Sequence, residues 1–288
     1  MKLGGLTPIF ADITPDTLCL DPKSVQEAIT PRTVAICGVH LYGTPCDIDA
    51  LESIANRNHL KLFFDSAHGL GSTHKGKPVG RSGMAEGFST SVTKIFTTLG
   101  EGGFISTNDD AFARRIKMAR NWGHDGNYNS KFASIVSKLP EIGAAAGLLA
   151  LPRLEQNVKN RNKLVKLAQN CMSEIPGITF PKIRDSDTSG YKDFPILIDE
   201  KNFGVHRDIV ATALKAEGID TRPYYSPPAH KMKAYENMKI RVSLQVTERM
   251  AETVLCLPIF NEMTDETMER LCCAVISIHK SASSLRKP

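Results

Sequence analysis

The sequence predicts an α/β protein in two parts. A large domain with a mainly parallel sheet is expected over residues 1–150 and a smaller α+β domain over 176–288, joined by a helix over 151–175. Three observations carry this reading. Between Thr33 and Thr107, apolar runs of strand length alternate with stretches of helical periodicity, the pattern of strands and helices in an α/β domain. A long helix-forming stretch follows, and beyond Gly177 the strand-and-helix pattern starts again.

In chain order, the runs TVAICGVHL, LKLFFD, GFSTSV and GGFIST are the expected strands. Continuous apolar runs of this kind suit strands buried on both faces of a parallel sheet. DIDALESIANRNH reads as a helix between the first two. Asn108, Asp109 and Asp110 offer side-chain oxygens to cap the helix AFARRIKMARN, and a polar glycine-containing loop, GHDGNYNSK, follows it. The stretch PEIGAAAGLLALPRLEQNVKNRNKLVKLAQNCMSEI reads as helix for most of its length, with a kink at Pro152 where the missing N–H interrupts the ladder. In the last part, DFPILID is a strand, VHRDIVATALKAEG a helix, DTRPYY a strand and DETMERLCCAVISIHKSA a closing helix. There is no internal repeat.

With 288 residues, 41% hydrophobic and 23% charged, the chain has the makeup of a globular enzyme; disordered, collagen-like and membrane classes are disfavoured. The net charge of +5 is spread among acidic residues instead of being gathered into an arm or stripe, so no nucleic-acid partner is implied. The seven cysteines, Cys19, Cys37, Cys46, Cys171, Cys256, Cys272 and Cys273, lack ligand spacing and read as reduced and mostly buried, with no metal site. The opening MKLGGLTPIF has no apolar signal core, and no run approaches the ~20 apolar residues of a membrane span. A cytoplasmic location is expected.

Three features fall at the C-terminal ends of predicted strands, where open α/β sheets place their ligands. Asp65 ends LKLFFD, where a buried carboxylate needs a cation or a donor; alone it reads as a helix cap or turn residue. Lys94 lies between a strand-like run and a glycine-rich one. In a pocket beside cations or apolar walls its amine loses its proton and can react with a carbonyl; alone it is an ordinary loop lysine. Ser89, Thr90, Ser91 and Thr93 offer hydroxyls to a phosphate, or are plain loop chemistry. Together they supply what pyridoxal 5'-phosphate (PLP) needs: a lysine for the imine, an acid for the pyridinium nitrogen and donors for the phosphate.

These residues resemble the DegT-type PLP-dependent nucleotide-sugar aminotransferases, within the fold-type I aminotransferases. The motifs run from PIFADITPDTLCLDPKSVQEAITPRTVAI through VHLYGTPCDIDALESIA, FFDSAHGLGSTHKGKPVG and GFSTSVTKIFTTLGEGGFISTND to RNWG, SKLPEIGAAAGL, RPYYSPPAH and LPIFNEMTDE. The resemblance implies amino-group transfer, with glutamate as the expected donor, to a keto group of a nucleotide-linked sugar, on a homodimer. It implies Lys94 as the Schiff-base lysine and proton carrier, Asp65 as the pyridinium partner, His68 beside the cofactor ring and Ser89 on the phosphate. Tyr42, Arg222, Tyr224 and His230 are weaker candidates for lining the substrate site.

Two departures stand beside the likeness. Family members carry an upstream stretch with a glycine-threonine helix start that holds the phosphate, and this chain is expected to lack it, beginning just before a PIFADI strand. Val136 stands near where the family often has an Asn reaching the partner's phosphate, and Asn127 or Asn129 is the available substitute. Relatives that act as sugar dehydratases replace the lysine with His, so Lys94 points away from that reaction. A same-fold enzyme of amino acids and a non-catalytic paralogue are the remaining alternatives.

Overall fold

The structure, a computed structural model, describes residues 2–285. Asp21 accepts the Lys23 amide hydrogen and Pro22 takes the first helical position of α1 (Pro22–Ala28), where a missing N–H costs nothing. The apolar run after Thr33 forms strand β1 (Ala35–Val39). Asp47 caps helix α2 (Ile48–Arg57) through the Ala50 amide, and strand β2 (Lys61–Asp65) follows. A hairpin of β3 (Thr73–His74) and β4 (Lys77–Pro78) leads to β5 (Ala85–Ser89) and β6 (Gly103–Ser106). Helix α3 (Asp110–Ala119) starts where expected, with Asp109 accepting from the Phe112 amide.

The main sheet has the order β1-β2-β5-β6. The first two pairings are parallel and the last is antiparallel, so the mainly parallel sheet is borne out with a reversed edge strand. Ile36, Leu62 and Phe64 pack from one face onto Ile48, Leu51, Ile54 and Ala55 of α2. The other face departs from the expectation of two buried faces. Phe63 there is half-buried, 6.3 Å ring to ring from Phe112 of α3, and Ile105 of β6 is exposed; Phe104 points to the opposite face, where it stacks on Phe88 at 4.7 Å.

Pro152 breaks the long helical stretch as expected. Helix α4 (Glu141–Ala150) ends in a tight turn over Leu151–Arg153, and α5 (Leu154–Met172) continues from it. The later elements are β7 (Ile178–Thr179), β8 (Asp187–Thr188), β9 (Phe194–Ile198), α6 (Glu200–Phe203), α7 (Arg207–Ala216), α8 (Gln245–Thr253), β10 (Val254–Leu257), α9 (Asp265–Lys280) and α10 (Ala282–Leu285). Strands β10, β9 and β7 make an antiparallel sheet. Leu164, Val165 and Ala168 of α5 join Phe194, Ile196 and Ile198 of β9 and Met268 and Val275 of α9 in one core. The helix after Pro152 is therefore packed into the second half of the chain. A smaller cluster of Leu18, Tyr42, Leu197, Val254 and Cys256 ties the two halves together, as does the pairing of β8 with β3.

Two expected strands are corrected. In DTRPYY, Arg222 alone pairs, with Cys256; Pro223 beside it has no N–H to extend the ladder. In PIFADI, Ile13 alone pairs, with Leu20, because the chain turns back at once through Thr14 and Cys19. Four of the seven cysteines, Cys19, Cys46, Cys256 and Cys272, are buried, and all seven are free.

Beneath the strand ends lies a buried carboxylate. Glu86 of β5 is 1% exposed. Its Oε1 accepts from the amides of Gly80 (2.7 Å) and Ser82 (3.1 Å), and its Oε2 accepts from the Ser66 hydroxyl at 2.6 Å. His40, just after β1, accepts the Cys46 amide hydrogen at Nδ1, so Nε2 carries the proton and faces Glu86 Oε2. At 3.4 Å this is an electrostatic contact longer than a good hydrogen bond. Burial pushes the Glu86 carboxyl up, but His40, Ser66 and the Ser82 amide outweigh it and hold the group below the usual range. That contribution to stability is present above the unfolded carboxyl's pKa and is lost as pH falls through the folded one. Glu86→Gln is expected to lower unfolding free energy by about 1.5–3 kcal/mol at neutral pH and to flatten the acid limb, measured by urea unfolding across pH.

Candidate active site

The end of β2 and the end of β5 set the frame. Asp65 is the last residue of β2 and Ser89 the last of β5, side by side because the two strands are parallel neighbours with Asp65 opposite Gly87. Asp65 is exposed, and its Oδ1 accepts the Ala67 amide hydrogen at 3.0 Å, the turn role open to it from the sequence. Lys94 follows Ser89 in a turn closed by its own amide on the Ser91 carbonyl. The amine is half-buried. Burial first, then the Lys192 ammonium, holds it below the ordinary lysine range, while Asp193, Asp65 and Glu101 pull the other way. Ser89 Oγ donates to Ser91 Oγ at a loose 3.3 Å, leaving both hydroxyls able to turn to an anion.

His68 comes three residues after Asp65, and its side chain is 9% exposed. Its Nδ1 accepts the Tyr42 amide hydrogen at 3.2 Å, which places the remaining ring proton on Nε2. Burial, and then Lys94 and Lys192, push its pKa down to about 3. The approach of Asp193 Oδ2 to Nδ1, 3.9 Å, has the distance of an ion pair. Two cations nearby and a donor already on Nδ1 make the ring neutral, so we read it as a close contact between a neutral imidazole and a carboxylate.

The weaker candidates divide. Tyr42 is 3% exposed, holds a left-handed backbone (φ 58°) and donates its hydroxyl to the Tyr224 carbonyl. It is a strut behind the site, not a lining side chain, because its polar atom is already used. Tyr224 carries the Lys192 ammonium 5.5 Å over its ring. Arg222 is exposed and pairs with Asp220 at 2.7 Å. His230 is buried with Nε2 on Glu248 Oε1 at 3.0 Å and its ring by Phe10. The structure thus gathers Asp65, His68, Ser89, Lys94 and Tyr224 and gives Arg222 and His230 other partners. Val136 pairs with Asn121, and Asn127 and Asn129 are exposed.

Sequence reasoning missed Lys192 and Asp193, whose side chains are about nine-tenths buried with Nζ on Oδ1 at 2.8 Å. The signal was there: two opposite charges stand directly before FPILI, a strand buried at every residue. It also missed Arg161 and Asn261. Arg161 donates to the carbonyls of Tyr191 (2.7 Å) and Lys192 (3.4 Å) and to Asn261 Oδ1 (2.9 Å), and Asn261 donates to the Ile95 carbonyl at 3.0 Å. Burial draws Arg161 down to about 10, which leaves it a cation at neutral pH.

A primary amine held below its usual pKa, a carboxylate at the mouth and loosely bonded hydroxyls are a donor set that fits PLP. Among the described residues no group of His, Cys, Asp or Glu has the arrangement to hold a metal ion.

Comparison with known proteins agrees. The family model described as the DegT/DnrJ/EryC1/StrS aminotransferase family matches residues 2–276. The dTDP-4-amino-4,6-dideoxy-D-glucose transaminase of Escherichia coli is 34% identical over 270 residues, covering 93% of this chain and 72% of that protein. The spore coat polysaccharide biosynthesis protein SpsC of Bacillus subtilis is 31% identical, covering 96% of this chain and 75% of SpsC. The crystal structure of DesI in the presence of its TDP-sugar product superposes with a TM-score of 0.91 at 36% identity, covering 99% of this chain and 72% of that one.

The protonation state of His68 is directly measurable. Long-range proton–nitrogen spectra should show it neutral, with the proton on Nε2, from pH 8 to pH 5. Its contribution to stability is full above the unfolded value of 6.5 and is lost as pH falls toward 3. A titration midpoint near 6.5 in the folded protein contradicts this assignment.

Proposed function

Because the chain belongs to the DegT/DnrJ/EryC1/StrS aminotransferase family, we propose that it transfers an amino group from an amino acid, with glutamate as the expected donor, to a keto group of a nucleotide-linked sugar. PLP is the cofactor. The observation that carries the reading is the setting of Lys94. It is a half-buried amine directly after the two strand ends that bear Asp65 and Ser89, with a second cation lowering its proton affinity.

When bound, PLP supplies an electron sink for the charge released at the α-carbon of the donor. The protein residues then have separate tasks. Lys94 would hold the cofactor through Nζ, and as a free amine Nζ would be the base that takes the proton from the donor's α-carbon and the acid that returns one. Asp65 would supply the negative charge that favours a protonated ring nitrogen. His68 offers Nε2–H as a neutral donor, and the Ser89 and Ser91 hydroxyls are donors to the phosphate. Tyr224 is the strongest of the remaining candidates for contact with the substrate.

We place the large, cofactor-binding lobe at 1–150, the linking helix at 151–175 and the small lobe at 176–288. The separate cores around α2 and around β9 support two lobes, with the linking helix packed on the small one. A homodimer is part of the proposal. Ile142, Leu148 and Leu149 of α4 are 72–83% exposed, an apolar surface that a second copy of the chain would cover. Among the described residues no helix is long and apolar enough to cross a membrane, and a cytoplasmic site of action accords with the metabolites involved.

Amino transfer from glutamate to a dTDP-linked 4-keto sugar, followed by chromatography of the amino-sugar nucleotide, tests the activity. Lys94→Ala should fold and lose at least about 10²-fold in rate; turnover equal to the unaltered chain would overturn the proposal. For assembly, the protein should run as a dimer in light scattering, and Leu149→Glu should shift it toward monomer.

A further inference from the structure

We propose that Lys192 and Asp193 are positioning residues for Lys94: the second half of the chain delivers them as an ion pair beside the amine, and Arg161 with Asn261 fixes their register to it. This deepens the proposed function and rests on Lys94 being the reactive lysine.

The geometry comes in two parts. The first is a continuous clamp. Arg161, 4% exposed on α5, donates to the carbonyls of Tyr191 and Lys192 and to Asn261 Oδ1. Asn261, just beyond β10, donates to the carbonyl of Ile95, the residue after Lys94. The backbone at Lys192 is thereby tied through two side chains to the backbone just after Lys94, which fixes the register of the two segments.

The second part is the state of the pair itself. Its side chains are about nine-tenths buried, an arrangement whose desolvation cost makes it a poor source of stability. Nor is the pair closed on itself. Nζ spends one hydrogen on Asp193 Oδ1 and lies over the Tyr224 ring. Asp193 Oδ2, among the described residues, accepts no hydrogen bond and points to within 3.9 Å of His68 Nδ1. A carboxylate kept short of one donor, beside a neutral imidazole and a reactive amine, sets a local field.

The groups facing Lys94 are Lys192, Asp193, Asp65 and Glu101, with neutral His68 close by. Lys192 favours loss of the amine's proton, and Asp193 opposes it. Removing each charge therefore moves Lys94 in opposite directions, whereas loosened packing would move both variants the same way.

The test is the pH profile of Lys94 acylation by acetic anhydride in the whole 288-residue, cofactor-free chain, read by peptide mass spectrometry. The amine attacks one anhydride carbonyl, acetate leaves and the amine's proton goes to solvent, so labelling tracks the neutral amine. Lys192→Gln should move the midpoint to higher pH, Asp193→Asn to lower pH, and Lys192→Arg should leave it near that of the unaltered chain. Circular dichroism establishes that each variant is folded. Opposite shifts support the inference. Midpoints that stay put, or that move together, overturn it. Because labelling needs no cofactor, this result stands apart from whether the chain transfers amino groups; an absence of amino transfer with opposite shifts would count against the proposed function alone.

Discussion

The Glu86 carboxylate is the constraint on which the rest of the site depends. One charged group with almost no exposure draws together Ser66 after β2, His40 after β1 and the 80–82 turn ahead of its own strand. A carboxylate so placed cannot be left short of donors without a cost of several kcal/mol, so the three segments have little freedom. Ser66 follows Asp65 directly, and the Ser66 amide donates to Gly87. The position of Asp65 at the mouth is thus inherited from a bond buried beneath it. His40 stacked on Phe64 at 4.8 Å links this polar knot to the apolar core under the sheet.

The site is assembled from both halves of the chain. The first half brings Asp65 and Ser89 at the ends of two strands and His68 and Lys94 on the loops that leave them. The second brings Lys192, Asp193 and Tyr224 ahead of, and beside, a strand whose five residues are all buried. Tyr42 belongs to the first half yet spends its hydroxyl on the Tyr224 carbonyl and its amide on His68. Arg161 and Asn261 make the corresponding connection from the other side. Orienting contacts of this kind matter more than local stability when reacting groups must stay within a fraction of an ångström.

Much of the frame could be read from residue order. The capped helix after Asp109, the interruption at Pro152 and the apolar run of β9 depend on local chemistry, and they fall where their residues demand. The strand expected at DTRPYY depended on tertiary pairing, and Pro223 leaves Arg222 as its one partner for Cys256. The expected burial of the main sheet on both faces also failed. An apolar run shows what a strand can bury and not what is available to cover it. Among site residues, Asp65, Ser89 and Lys94 were visible because they follow strand-like runs at close spacing. His68 entered through family register, and its neutrality follows from neighbours 26 and more residues away. Arg161 and Asn261 act through backbone carbonyls, for which residue type gives no signal.

The account turns on which amine receives the cofactor, since two lysines share one site. Incubation of the chain with PLP, reduction with borohydride and peptide mapping identify that amine. The account predicts a phosphopyridoxyl group on Lys94. Label on Lys192 in its place, or no label on either residue, would contradict it.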